Sequence, residues 1–389
     1  MFRRNITLFY ALESLTALFG GLILPVYVLY FRQYDVSLLQ VAILAAVFEA
    51  TVLVFELPTG IFADRRGRRL SVVFGFLGFA LSGLIFFSFR NFTGFLVAEI
   101  VLGISETFIS GALEALAVDS LDKTDRERIL PTLFARRTAY KNTALIVGMI
   151  GAGVLARHYL TYLFLPVTLV ALAGVPITLA LREPARPTVT AESATPPLRS
   201  LLASIFSRTA LPALFAVGLF SNFTYEGVDQ YWQILFAELR RIDPVWFGLI
   251  TSAGLVLVVV SAGLLKRWYR HITAYLSVGF MLMGVALYLA ASGSLLFAVA
   301  GIVAFFALKE LIRPAISTNI NRTIDDHHRA TVLSGYNLTC SAGEVLAGVG
   351  IGLLASRYGV VSVFLIAAIS AVGVLLVYFA VLTATRNRV

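Results

Sequence analysis

The chain has 389 residues, of which 59% are hydrophobic and 14% are charged, and its mean hydropathy is +0.87. This composition lies far outside the range of soluble proteins and excludes a soluble globular fold. The net charge of +9 comes mainly from basic residues between apolar stretches, so it indicates membrane topology and not a nucleic-acid partner.

Twelve apolar stretches are long enough to cross a bilayer, which takes roughly 20 residues each. Their approximate bounds are 5–31, 37–62, 70–89, 93–119, 131–156, 158–181, 205–236, 245–265, 272–291, 294–316, 330–356 and 359–384. The first stretch is too long for the hydrophobic core of a cleavable signal peptide, so we expect no such peptide.

Basic residues set the orientation of these stretches. With the N-terminus inside, 20 of the 31 lysines and arginines fall at cytoplasmic ends and loops, and six fall outside. We therefore predict a multi-pass protein of the plasma (inner) membrane with both termini in the cytoplasm. It is expected to work in the lipid bilayer as a monomer.

The loop between the second and third stretches reads Gly60-Ile-Phe-Ala-Asp64-Arg65-Arg66-Gly67-Arg68-Arg69. Glycine suits a very tight connection between two helices, and arginines hold the loop at the inner membrane surface. The string matches G-x-x-x-D-[RK]-x-G-[RK]-[RK], the signature of the first cytoplasmic hairpin of the major facilitator superfamily. Over its whole length the chain resembles that superfamily. The resemblance implies an all-α membrane protein with twelve transmembrane helices in two pseudo-symmetric six-helix halves.

The resemblance also implies a gating role for the hairpin. In the superfamily its charged residues latch the two halves in the outward-open state, with an acid at the inner end of the fourth segment as partner. The matching positions here are Gly60, Asp64, Arg65, Gly67, Arg68 and Arg69, and Asp119 is the expected partner acid.

A polar stretch with four prolines, residues 182–199, separates the first six stretches from the last six. We predict an N-terminal six-helix half over 1–181, a cytosolic linker over 182–199 and a C-terminal half over 200–389. A weak internal repeat agrees with this division, since residues 151–159 resemble residues 350–358. Such repeats are typical of this architecture.

Ten of the 22 acidic residues fall within the apolar stretches. An ionised side chain at bilayer depth costs about 2.5–3.5 kcal/mol on insertion scales, so these side chains must face protein or water. They form polar stripes at helical spacing on stretches 4, 7 and 10, and stretch 1 adds another acid. The candidate substrate- and proton-binding residues are Glu13, Glu99, Glu106, Asn222, Tyr225, Glu226, Asp229, Glu310 and Arg313.

In the superfamily, segments 1, 4, 7 and 10 line the cavity, and all four carry acids here. Carboxylates in a water-filled cavity attract cations and can exchange protons near neutral pH. Structural pairing is the alternative, because five basic residues also lie within the stretches. We predict that Glu114 pairs with Arg137 or Lys141, and that Glu310 pairs with Arg313, three residues further on. Ten acids against five bases still leave a surplus.

These patterns predict a secondary active transporter that works by alternating access, as in bacterial drug and metabolite efflux. Its cargo would be a small organic molecule, cationic or amphipathic, exported against protons without a cofactor. A proton symporter or facilitator that imports a metabolite stays open, as does a non-transporting sensor or lipid-handling protein. Stretch 4 has Glu99 where many proton-coupled members have arginine, and stretch 5 lacks the proline of the antiporter motif.

Enzyme classes find little support in the sequence. Neither a metalloprotease helix, a serine-hydrolase elbow nor an ATP-binding loop pattern occurs. The loop Asp325-Asp-His-His328 is interpreted as solvated and not as a metal site, since its neighbouring side chains point in different directions.

Overall fold

The computed structural model of the protein describes residues 2–121, 126–183, 211–265, 271–323 and 329–386. These ranges form 13 α-helices, and no strand occurs within them. Residues 184–199 of the predicted linker and the loop 325–328 lie outside the described residues.

The helices follow one another with short connections. In chain order they are α1 Phe2–Ile23, α2 Tyr27–Arg32, α3 Leu38–Arg66, α4 Arg68–Ser88, α5 Phe92–Asp119, α6 Arg126–Tyr159, α7 Phe164–Leu179, α8 Leu211–Ile234, α9 Val245–Leu265, α10 Ile272–Ala291, α11 Leu295–Thr323, α12 Arg329–Tyr358 and α13 Val360–Arg386. A 3₁₀ turn precedes α7, and a π-helical turn at Leu235–Leu239 extends α8.

Nine of the described helices are long and apolar enough to cross a membrane, namely α1, α3 to α6 and α10 to α13, while α7 and most of α9 are shorter apolar helices. The polar second half of α8 sets that helix apart. Large apolar side chains point away from the protein on these helices, as at Val54, Leu296 and Ile369. Such surfaces are stable against lipid and not against water. The chain is therefore a multi-pass membrane protein.

The first predicted stretch is interrupted in the structure. Residues 5–31 were expected to form one span, but α1 ends at Ile23 and α2 begins at Tyr27. Pro25 lies in the break, and proline lacks the N–H that a continuous helix needs. The prediction of a single helix over this stretch is wrong for that reason.

The turn between α3 and α4 is a single residue. Gly67 has φ of +124° and ψ of 135°, a conformation that side chains with a Cβ rarely adopt. The glycine of the hairpin signature therefore allows α4 to begin directly after α3.

The chain packs into two compact units. Unit 1 comprises Met1–Val189 and Arg241–Ser252, and unit 2 comprises Thr190–Arg240 and Ala253–Val389. In unit 1, α1 packs on α6 and α7, and α4 packs on α5 and α7. In unit 2, α8 packs on α12 and α13, and α10 packs on α11 and α13.

Glycines allow the closest of these approaches. A Cβ on Gly21 of α1 would lie 2.5 Å from the Leu145 carbonyl oxygen of α6. In unit 2, a Cβ on Gly343 of α12 would lie 2.4 Å from the Leu219 carbonyl oxygen of α8. Small residues at membrane helix interfaces gain dispersion contacts that lipid tails cannot supply as well.

Candidate functional site

An arginine in unit 1 holds two acids from neighbouring helices. Arg137 of α6 places its Nε 3.0 Å from Oε1 of Glu13 on α1 and its Nη1 2.9 Å from Oε2 of Glu114 on α5. The Glu13 side chain is only 6% exposed, whereas that of Glu114 is 44% exposed. The guanidinium also lies 6.0 Å from the ring centre of Phe9. Arg137 therefore pairs with a buried acid and a half-exposed acid at once, and its single positive charge balances one of the two.

Glu106 lies two turns before Glu114 on α5 and is half-buried. The charged groups that act on its carboxylate are Lys141 of α6 and Glu13 of α1. Lys141 is exposed, and the ion pair of Glu114 is made by Arg137. Of the two basic partners predicted for Glu114, Arg137 forms the ion pair, whereas Lys141 acts electrostatically on Glu106.

Glu99 lies two further turns towards the start of α5. Its side chain is 6% exposed, and among the described residues no ion pair or hydrogen bond reaches its carboxylate. Desolvation opposes ionisation of a carboxyl group in such a place. Glu99 is therefore a buried carboxyl group with no cation beside it among the described residues.

Unit 2 contains a second charged cluster around an arginine of α11. Arg313 donates from Nη2 to Oδ1 of Asn222 on α8 at 3.1 Å, and the same nitrogen lies 3.6 Å from Oε1 of Glu344 on α12. Its guanidinium lies 5.5 Å from the ring centre of Tyr225. The predicted pair between Glu310 and Arg313 is not formed within 4 Å, and the carboxylate at that distance from Arg313 is Glu344 on the next helix.

One turn earlier on α11, Lys309 forms an ion pair with Asp229 of α8. Its Nζ also lies 5.9 Å from the Tyr225 ring centre, so two cations of α11 flank that buried ring. Glu226 accepts a hydrogen bond of 2.6 Å from Nε2 of Gln230. Carboxylate, ammonium and phenol groups of α8 and α11 therefore meet in the interior of unit 2.

The structure thus brings seven of the nine candidate binding residues into two clusters. Glu13 and Glu106 lie in the first cluster, and Asn222, Tyr225, Glu226, Asp229 and Arg313 lie in the second. Glu99 is buried apart from the first, and Glu310 is exposed beside the second. Lys309 and Glu344 were missing from the predicted set, although both are charged residues within apolar stretches and the same physical rule would have selected them.

The hairpin residues occupy the ends of α3, α4 and α5. The Arg68 guanidinium forms an ion pair with Asp119 at the end of α5, and its Nη2 lies 3.9 Å from Oδ1 of Asp64. Arg69 donates from Nη1 to the Leu181 carbonyl oxygen at 3.2 Å. Gly60 and Arg65 are exposed on the last turns of α3.

Glu183 is a further partner of the hairpin that sequence reasoning missed. Its Oε1 accepts the backbone N–H of Arg68 at 2.8 Å, which satisfies a free donor in the first turn of α4 and places a negative charge at the positive end of that helix. It lies 115 residues from Arg68, so no local pattern connects them.

Comparisons with known proteins agree on the fold. A family model described as the Major Facilitator Superfamily matches residues 9–308. The chain is 25% identical over 378 residues to a protein of Bacillus subtilis (strain 168) described as "Uncharacterized MFS-type transporter YxaM", and the match covers 93% of this chain and 92% of the relative. A shorter match, 29% identical over 189 residues, covers 48% of this chain and 48% of "Multidrug resistance protein 1" of the same organism.

Solved structures give the same result. The crystal structure of the nucleoside transporter NupG superposes with a TM-score of 0.77 over 97% of this chain and 99% of that chain, at 13% identity. The human organic anion transporter MFSD10 superposes with a TM-score of 0.65 over 97% and 99% of the two chains, at 19% identity. At these identities the likeness concerns the fold alone.

Proposed function

This chain belongs to the major facilitator superfamily, and on that premise we propose that it exports small organic molecules in exchange for protons. That it is a membrane transporter of this type follows from the family match and from its MFS-type relative. The proposed cargo is cationic or amphipathic and crosses the plasma membrane by alternating access. Both termini would lie in the cytoplasm, and the monomer would need no cofactor and bind no nucleic acid.

The proposed architecture is twelve transmembrane helices in two six-helix halves, 1–181 and 200–389, joined by the linker 182–199. Recurrent packing supports it. Without the short α2, the first helix of each set of six packs on the fifth and sixth, and the third packs on the fourth and sixth. Repeated pairings of this kind are typical of a duplicated bundle.

The observation that carries the proton step is the ion pair between Asp229 and Lys309. When Asp229 is ionised, it holds the ammonium group of Lys309 across the space between α8 and α11. A proton on Asp229 removes that attraction and frees the lysine. Glu226 lies one turn away with a neutral amide partner, so a second carboxylate is available to a cation or a proton.

Export is proposed over import because of the relative named as a multidrug resistance protein, which matches nearly half of this chain. Acidic side chains inside unit 2 also favour a positive group on the cargo, since opposite charges attract strongly where water is scarce. Import by symport could use the same ion pairs. The relative direction of substrate and proton flux distinguishes it from export by antiport.

The test is transport by the purified protein in proteoliposomes. Organic cations, sugars and amino acids are screened, and an internal pH dye reports proton movement when each compound is added. We expect substrate-dependent proton movement in the wild type, and its loss in Asp229→Asn and in Glu106→Gln, with substrate counterflow retained. Asp35→Asn is the matched control, because Asp35 is exposed in a loop at positive φ, which asparagine tolerates.

The outcomes separate three mechanisms. Proton movement opposite to the substrate establishes antiport, and movement in the same direction establishes symport. Substrate counterflow without any proton signal in the wild type would contradict the proposal and make the protein a facilitator or a carrier of another ion.

A further inference from the structure

A polar face of α6 lies within a candidate membrane span. Arg136, Tyr140 and Lys141 are all exposed on this helix, although the span runs from Arg128 to Tyr162. Arg136 and Tyr140 are one turn apart on the same side, and Lys141 lies on the adjoining row. Lipid cannot solvate these groups at such depth. Within the span, this exposed face is therefore suited to a water-accessible surface and not to lipid.

The basic residues of α6 differ in whether they form ion pairs. Arg137 is fully used, because it holds Glu13 and Glu114 together. Arg136 and Lys141 are exposed, and among the described residues neither makes an ion pair within 4 Å. The single positive charge of Arg137 balances one of the two carboxylates that it contacts, while Arg136 and Lys141 stay accessible. The exposed charges on this face of α6 are therefore positive.

Aromatic rings adjoin the two cations. Tyr10 of α1 packs against Tyr140 with ring centres 5.2 Å apart, and the Arg136 charge acts on the Tyr10 hydroxyl. Lys141 also acts electrostatically on Glu106, which is one of the candidate proton-binding residues of unit 1. The positive groups thus share this face of α6 with an aromatic pair.

We propose that Arg136, Lys141, Tyr10 and Tyr140, here called the cationic face, bind the oxyanion group of an amphipathic substrate. A guanidinium and an ammonium donate charge-assisted hydrogen bonds to a carboxylate, sulfonate or phosphate. The two tyrosine rings take the apolar body of the same molecule. This inference rests on the proposed transport function and narrows its cargo to amphipathic compounds with an acidic group, either anionic or zwitterionic.

Three probes with the same apolar body and different charge test the cationic face. They are 2-naphthylacetate, neutral 2-naphthylethanol and 2-naphthylmethylammonium, and their binding to the full-length protein in detergent is measured by calorimetry. We expect the anion to bind more tightly than the other two. Arg136→Gln and Lys141→Gln should each weaken anion binding about tenfold, the effect of one charge-assisted hydrogen bond, and leave the neutral probe unchanged.

Two further variants keep the test decisive. Arg136→Lys retains the charge and should recover most of the anion affinity if Arg136→Gln has not merely disturbed folding. Arg357→Gln removes an exposed arginine at the end of α12 and should change nothing. Tighter binding of the cation, equal losses for all three probes, or no binding of any probe would overturn the inference.

Proteoliposome flux with the same probes separates this inference from the proposed function. Anion binding that depends on Arg136 and Lys141, with no proton movement for any probe, would support the cationic face and contradict proton exchange. Proton-coupled flux of the cationic probe that neither Arg136→Gln nor Lys141→Gln affects would support proton exchange and contradict the cationic face.

Discussion

At the scale of single residues, Arg137 shows how burial determines the contribution of an ion pair to the free energy of unfolding. One guanidinium holds Glu13, which is 6% exposed, and Glu114, which is 44% exposed. A buried ion that loses its partner keeps the full cost of desolvation, whereas an exposed one regains water. The two contacts have similar lengths and should therefore differ in energy.

Arg137→Gln should destabilise the protein by about 3–5 kcal/mol, because Glu13 stays buried without a cation. Glu114→Gln should cost at most about 1 kcal/mol, because the lost contact is half-exposed. Thermal unfolding of the purified protein measures both. The double variant Glu13→Gln with Arg137→Gln should recover part of the loss, and equal losses for the two single variants would contradict the burial argument.

The residues of unit 2 show the limit of reasoning from local spacing. Glu310 and Arg313 have the spacing of a helical ion pair, yet Arg313 binds Glu344 on α12 and Asn222 on α8. A charged side chain within a membrane helix pairs with groups on the helices packed against it, and the two residues between Glu310 and Arg313 do not encode which helices these are.

At the scale of helices, the contact between α1 and α6 depends on small residues. Gly21 and Gly148 face one another, and a Cβ on Gly148 would lie 2.9 Å from the Gly21 Cα. The neighbouring Gly20 has nothing within 4 Å of its Cβ position. Two adjacent glycines therefore have opposite structural roles.

Gly21→Ala should destabilise the protein by roughly 1–3 kcal/mol, since the new methyl group meets backbone atoms of α6 that cannot move aside singly. Gly20→Ala is the matched control and should be neutral or should stabilise by up to about 1 kcal/mol, because alanine favours the helix. The same thermal unfolding assay applies. Equal effects of the two substitutions would show that α1 and α6 do not approach this closely.

At the scale of the whole molecule, the distribution of basic residues predicts which loops lie inside. The turn before α3 should be outside, and the turn between α3 and α4 should be inside. The chain has a single cysteine, Cys340, so its replacement by serine gives a background for site-directed labelling.

In that background, Asp35→Cys should react with a membrane-impermeant maleimide in intact cells, since Asp35 is exposed in the turn before α3. Arg66→Cys is exposed at the end of α3 and should react only after the membrane is opened. Labelling is read by gel shift or mass spectrometry. The reverse pattern would place the N-terminus outside and invert the proposed topology.

Much of the fold was predictable because the bilayer imposes it. A chain of this hydropathy must hide its backbone polar groups in helices, and the stretches read from the sequence correspond to the described helices with shifted ends. The break at Pro25 is an exception, since proline in a membrane span can either kink a helix or end it. The packing around it decides which occurs.

The hairpin between α3 and α4 shows both what the sequence determines and what only the packing of the helices determines. The sequence by itself determined that this is a multi-pass membrane protein of the major facilitator superfamily, because hydropathy and a short motif are local properties. Only the tertiary structure decided which charges neutralise one another: Glu183 binds the first turn of α4, Arg137 joins Glu13 to Glu114, and Arg136 stays accessible. Each of these contacts joins helices that are far apart in the chain. The free-energy cost of a charge within a membrane depends on the groups that pack against it, so it cannot be read from local sequence.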